Sequence, residues 1–294
     1  SLPGTFDEFY KDKLARSKEL NVRPKNEELL VRYADKTPVA ILFVHGYGAS
    51  RTEGQLVLEK VAKELKANIY FLRLPGHGIN VEEHAKVTAR EHLDETITTL
   101  RMMRKLGDKV VVVGGSMGGV ISTYIAAEYP DLMDALILSS PAYEFKPTLA
   151  KIAGFHPAFK LITIFMKRRP TVVQPEEVKE KDNWTNYWLT NQYSKSLKQL
   201  YDLQRLTVRN SVLEKVAIPV LLFYYYKDEE NQDPTAHVGT MLQSYNKLNK
   251  GTPNLKSKNV AFDKGEHTLM SRFSKGGVDQ EKVQKVIVDF IRSL

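Results

Sequence analysis

A chain of 294 residues, 42% hydrophobic and 27% charged, is long enough to bury one large α/β core or two small ones. It has no cysteine, which excludes a disulfide framework, a thiolate metal site and a thiol nucleophile. No apolar stretch approaches the roughly 18 residues needed to cross a bilayer. The formal charge of +8 is unevenly spread, since residues 144–215 hold 13 Lys/Arg against seven Asp/Glu. That segment reads as a solvated face, not as an organised nucleic-acid module. The chain is expected to be soluble. It opens on Ser1 instead of methionine, so it is either cytoplasmic or exported and anchored with a leader removed.

In chain order, "FDEFYKDKLARSKEL" (residues 6–20) has the spacing of an amphipathic helix, and "ELLVRY" follows as an edge strand. "PVAILFVHG" (residues 38–46) is a continuous apolar run of the kind buried on both faces of a sheet. Helical spacing over residues 53–65 leads to a strand in "NIYFLRLPGHG" that ends in a Pro–Gly turn. A long amphipathic helix over residues 88–106 precedes four valines, a helix after Ser116, and the strand "MDALILSS". This alternation predicts an α/β fold with a doubly wound, mostly parallel sheet.

The rhythm breaks after Pro141 for about 70 residues and then resumes. "IPVLLFYYY" reads as a strand, and "DPTAHVGTMLQSYNKL" as a helix with Asp233 as N-cap and Pro234 in its first turn. A strand in "KNVAFD" and a helix over residues 279–294 complete the chain. The domain reading is therefore a core of residues 1–143 and 216–294, with residues 144–215 inserted as a mainly helical lid over the sheet's C-terminal edge.

Chemistry concentrates in "VVVVGGSMGG". Gly114, Ser116 and Gly118 match G-x-S-x-G, in which a serine at a sharp strand-to-helix turn needs neighbours without side chains. The preceding valine strand and the following helix are the context that the motif demands. Gly119 reads as close helix–strand packing. Neither G-x-G-x-x-G nor a phosphate-loop lysine is present to make the turn a phosphate site. Nor is there an H-E-x-x-H or a tight His/Asp cluster, so no metal and no cofactor are expected.

With "HGYG" at residues 45–48 and "LRLPGHG" at residues 72–78, the chain resembles the α/β-hydrolase superfamily over almost its whole length. The branch it is most similar to is that of monoacylglycerol lipases and bacterial carboxylesterases. The resemblance implies a serine ester hydrolase with Ser116 as nucleophile and the backbone N–H groups of Tyr47 and Met117 as oxyanion donors. His45 and His77 read as structural hydrogen-bonders. His267 follows the last strand and is the expected base, because the histidine comes last in the family's order. The family acid stands a residue or two past the strand after the lid, which is the place of Asp228, although Tyr225 replaces the glycine common there. Asp233 competes, but its Asp-Pro context explains it as a helix cap.

The lid supplies the substrate clue. Residues 153–170 join an apolar, aromatic stripe to Lys167, Arg168 and Arg169, either as a lid helix packed on the core or as one leaning transiently on a membrane or micelle surface. Trp184, Tyr187 and Trp188 are candidates to line the acyl pocket. The expected substrate is a small ester or lipid, such as a monoacylglycerol. The alternatives are acyltransferase, thioesterase or peptidase chemistry on the same fold, or a binding protein without catalysis.

Overall fold

The computed structural model describes residues 2–146 and 182–294. The expected helix over residues 153–170 lies outside them. Seven strands form one sheet: β1 (Leu29–Val31), β2 (Thr37–Val44), β3 (Asn68–Phe71), β4 (Gly107–Gly115), β5 (Ala135–Ser139), β6 (Val220–Tyr225) and β7 (Lys258–Phe262). Their order is β1-β3-β2-β4-β5-β6-β7, parallel throughout except that β1 pairs antiparallel with β3 at the edge. The fold is thus the mostly parallel α/β sheet that the alternation implies.

Among the described residues the helices of six residues or more are α1 (Phe6–Glu19), α2 (Gln55–Leu65), α3 (Val81–Lys86), α4 (Ala89–Met103), α5 (Met117–Glu128), α6 (Ser194–Thr207), α7 (Val238–Tyr245) and α8 (Gln280–Arg292). Two cores result, one on each face. The β4 valines show why: Val110 and Val112 join the core under α4, α5 and α6, whereas Val111 and Val113 join the one under α2 and α8. Successive side chains of a strand point to opposite faces, so an uninterrupted apolar run suits a strand covered on both. Each buried valine contributes about 1.5–3 kcal/mol relative to exposure.

Several boundaries differ from the sequence reading. The helix expected from Asp233 starts only at Val238, with His237 as its cap residue. Residues 184–186 form one 3-10 turn. In the segment read as lid, α6 packs directly on α5, and Leu200 and Leu203 are fully part of the core. Among the described residues, no helix is long and apolar enough to cross a membrane.

The topology places the site. From β2 the chain moves outward to β3, then returns across the sheet to β4 on the other side. Loops leaving β2 and β4 therefore diverge, and a crevice opens between them at the carboxyl ends of the strands. Ser116 follows β4, and the HGYG turn follows β2.

Candidate active site

Ser116 has φ +48° and ψ −114°, a conformation that side chains rarely adopt and that costs about 1–3 kcal/mol. Its surroundings enforce it. Ser116 N–H donates to the Ser139 carbonyl at 3.0 Å, and Ser116 C=O accepts from Ala142 N–H at 3.1 Å. The crowding that the glycines answer is severe: a Cβ on Gly118 would stand 2.0 Å from the Val44 carbonyl oxygen. On Gly119 it would stand 2.9 Å from Pro141 Cβ, so that glycine admits the chain leaving β5. The valine strand, the turn and α5 thus lift the Ser116 hydroxyl to the crevice.

His267 reaches that hydroxyl from the loop after β7, with Nε2 2.8 Å from Ser116 Oγ. Its Nδ1 lies 2.8 and 3.1 Å from the two carboxylate oxygens of Asp233. The expectation for Asp228 is therefore corrected: Asp233 is the carboxylate that meets His267. The reason is a small excursion of the chain. Tyr226 bridges to Gln232, and Asp233 N–H donates back to the Tyr225 carbonyl at 3.0 Å, so residues 226–232 leave the strand end and return to it. Asp228 sits at the exposed tip, where its Oδ1 accepts from the backbone of Glu230 and Asn231 and from the Asn231 side chain. Those bonds hold its carboxyl below the usual range.

Asp233 is fully buried, and its Oδ1 also accepts from Thr235 and Ala236 N–H at 2.8 and 2.9 Å. The Asp-Pro turn is thus real, and one carboxylate both closes it and orients the imidazole. Burial opposes ionisation of Asp233, but His267 and the two N–H donors outweigh it and its pKa is lowered. Burial likewise opposes a charge on His267, yet the Asp233 carboxylate outweighs it and raises the pKa. Such a pair keeps the proton on Nδ1 and leaves Nε2 free to take one from Ser116.

The HGYG turn lies against Ser116, since a Cβ on Gly46 would stand 2.9 Å from Ser116 Cβ. Tyr47 and Met117 thereby flank the serine on the two loops that form the crevice. The turn is tied on three sides. Gly46 N–H donates to the buried Glu53 carboxyl, Gly48 N–H donates to His77 Nε2 at 3.0 Å, and Gly48 C=O accepts from Leu189 N–H at 2.7 Å.

His77 and His45 are hydrogen-bonders as read. His77 Nδ1 faces the Pro75 carbonyl at 3.0 Å, and His45 bridges the Gly46 carbonyl and Leu74 N–H. Each accepts a backbone N–H on Nε2, which requires the neutral imidazole. His77, His84 and His92 do form a tight buried cluster, contrary to the sequence reading, with ligand atoms within 4.8 Å of one another. The spread is wide for one ion, whose nitrogen ligands sit about 2.0–2.1 Å from it. Both His77 nitrogens are already engaged, so the cluster reads as packing behind the turn. Three separate segments bring these histidines together, so no spacing in the sequence announces them.

Beside His267 lies a cavity of about 340 Å³, with Trp184, Trp188, Pro234 and Phe273 on its apolar side and Thr235, Glu266, Thr268, Ser271 and Lys275 on its polar side. Tyr187 is not on that wall. It stacks on Phe273 at 5.7 Å, and its hydroxyl donates to Asp182. Near-helical spacing suits ordinary packing as well as pocket lining, and Tyr187 is buried at 4% exposure.

Residues 39–271 match the model of the alpha/beta hydrolase fold family. The thermostable monoacylglycerol lipase of Bacillus sp. (strain H-257) is 28% identical over 100 residues, 34% of this chain and 40% of that enzyme. A pimeloyl-[acyl-carrier protein] methyl ester esterase of Vibrio campbellii is 29% identical over 105 residues, 35% of this chain and 38% of that enzyme. These matches thus span well under two thirds of the relatives' own length. Among solved structures, a metagenome-derived lipolytic enzyme superposes with TM-score 0.71 at 19% identity, over 93% of this chain and all of that one. The monoacylglycerol lipase of Paleococcus ferrophilus superposes with TM-score 0.63 at 15% identity, covering 91% and 99% of the two chains.

Proposed function

The chain belongs to the alpha/beta-hydrolase fold family, and we propose that it is a serine hydrolase of carboxylic esters, with monoacylglycerols or other short-to-medium-chain lipid esters as substrates. The observation that carries this reading is the unbroken chain of hydrogen bonds from Asp233 through His267 to Ser116, at an elbow with positive φ.

Ser116 Oγ attacks the acyl carbonyl carbon while His267 Nε2 takes its proton. Asp233 stabilises the resulting imidazolium. The oxyanion is held by the N–H groups of Tyr47 and Met117, one from each loop of the crevice. The C–O bond to the alcohol breaks as His267 returns the proton to the leaving oxygen. Water, deprotonated by the same histidine, then cleaves the acyl-serine. The apolar wall of Trp184, Trp188 and Phe273 suits an acyl or glyceryl group, and the likeness to monoacylglycerol lipases points the same way.

The test is hydrolysis of p-nitrophenyl butyrate and of a chain-length series of monoacylglycerols. Steady turnover that vanishes in Ser116→Ala supports the reading. Absence of ester turnover, with no label on Ser116 from a fluorophosphonate, contradicts it. A preference for thioesters or amides over esters moves the substrate class elsewhere on the same machinery.

A further inference from the structure

Glu53 is a buried carboxyl that the steps above leave without a task. It ends the 3-10 turn Arg51–Glu53, capped by Ser50, just after the HGYG turn, and it is 4% exposed. Burial is expensive for a carboxylate without a charged partner, so its position calls for a reason. Its surroundings supply one. The carboxyl accepts the Gly46 N–H, and a Cβ on Gly46 would meet Glu53 Oε1 at 2.9 Å. A Cβ on Gly115, the residue before the nucleophile, would also meet Glu53 Oε1 at 2.9 Å and Cδ at 3.1 Å. One carboxyl therefore fills the space between two glycines, one in the HGYG turn and one at the end of β4.

We propose that Glu53 is a positioning residue for ester hydrolysis, a wedge that sets the HGYG backbone at a fixed distance and angle from Ser116. This rests on the serine-hydrolase reading above. Gly46 N–H is tied down by Glu53, so the peptide that follows, which carries the Tyr47 donor, has one orientation. Gly115 lacks a side chain because the carboxyl occupies that volume. Oxyanion donors must stand within a few tenths of an ångström of the developing charge, and a misplacement of about 1 Å costs on the order of 100-fold in rate.

The charge on Glu53 also reaches the base. Burial pushes its pKa up to about 7, against the Gly46 N–H and His267, which lower it. His267 in turn is raised by Asp233 first and by Glu53 and Glu266 after it. Removing the Glu53 charge without removing its oxygen should therefore lower the His267 pKa and leave the turn in place.

The experiment compares wild type, Glu53→Gln, Glu53→Ala and Glu53→Asp in the full chain. It reads the rate of fluorophosphonate labelling of Ser116 and kcat and KM on p-nitrophenyl butyrate across pH 5.5–9. Glu53→Ala is expected to lose on the order of 100-fold in kcat and in labelling rate with KM nearly unchanged. Glu53→Gln, which keeps an acceptor for Gly46 N–H, should recover most of that loss, with the acid limb of its profile shifted to lower pH. If Glu53→Ala does not fold, Glu53→Asp carries the test: its shorter side chain withdraws from Gly46 and should lose about tenfold or more. Wild-type kcat in Glu53→Ala or Glu53→Asp overturns the proposal, as does a Glu53→Gln no better than Glu53→Ala. Wild type that neither labels nor turns over ester overturns the hydrolase reading instead.

Discussion

Four histidines are buried at the HGYG turn and a fifth, His267, is partly buried at Ser116, and their chemistry diverges. His45, His77, His84 and His92 are packed behind the HGYG turn, where burial drives their pKa down, to about 4 for His45 and His84 and about 3 for His92. His267 is also enclosed, yet its pKa is raised. The difference is the carboxylates around it, Asp233 first and Glu53 and Glu266 after it. Asp233 lies 2.8 Å from His267 Nδ1, whereas the ring nitrogens of His45 and His77 meet backbone groups and His84 meets the neutral Gln192 side chain. Burial alone makes an imidazole a neutral spacer, and burial with an ionised partner makes it a base.

Substitutions can break this contrast from either side. On the proposed mechanism His267→Ala removes the base and should lower kcat on p-nitrophenyl butyrate on the order of 10⁶-fold, as loss of the base does in serine hydrolases. The same substitution leaves the buried Asp233 carboxylate with only its Thr235 and Ala236 N–H donors, so stability should fall by about 1–3 kcal/mol, a small effect beside the loss of activity.

His77→Ala should show the opposite balance. Gly48 N–H loses its acceptor and a cavity opens, so stability should fall by about 2–4 kcal/mol in denaturant unfolding. Activity should fall far less than in His267→Ala, through loosening of the turn.

The pH dependence of stability separates the two groups as well. Histidines kept neutral in the fold but free to charge when unfolded make the unfolded state the stronger proton binder below about pH 6.5. Stability is therefore intact above that pH and declines as pH falls towards 4. For a group depressed from 6.5 to about 4, such as His84, the loss is on the order of 3 kcal/mol. His84→Leu should flatten that decline in urea unfolding between pH 7 and 4, and an unchanged slope would refute the assignment.

The smallest expected effect is at the cavity wall. Trp188→Ala should raise KM for a monoacylglycerol about fivefold, on the order of 1 kcal/mol of apolar contact, with kcat within about twofold.

Backbone-determined features were legible in the sequence. Four valines require a two-sided strand, and glycines two residues either side of Ser116 mark a turn with no room for side chains; both stand where the spacing implies. Side-chain meetings across the fold were harder to read. Asp233 was hidden by a true local explanation, because its carboxylate does close the Asp-Pro turn that made it look like a cap. Asp228 drew attention by its distance from β6, which counts residues but not the excursion of residues 226–232. Tyr187 shares a spacing with Trp184 and Trp188 but is buried away from the cavity that they line. Glu53 carried no signal, since its place beneath the elbow arises only when β2 and β4 lie side by side.

The most direct test of the whole account sets two aspartates against each other in one assay. Steady-state kinetics on p-nitrophenyl butyrate are measured for Asp233→Ala and Asp228→Ala, with folding checked by thermal unfolding. The account predicts a loss on the order of 10⁴-fold in kcat for Asp233→Ala and a change within about twofold for Asp228→Ala. Full activity in Asp233→Ala, or a collapse in Asp228→Ala alone, would contradict it.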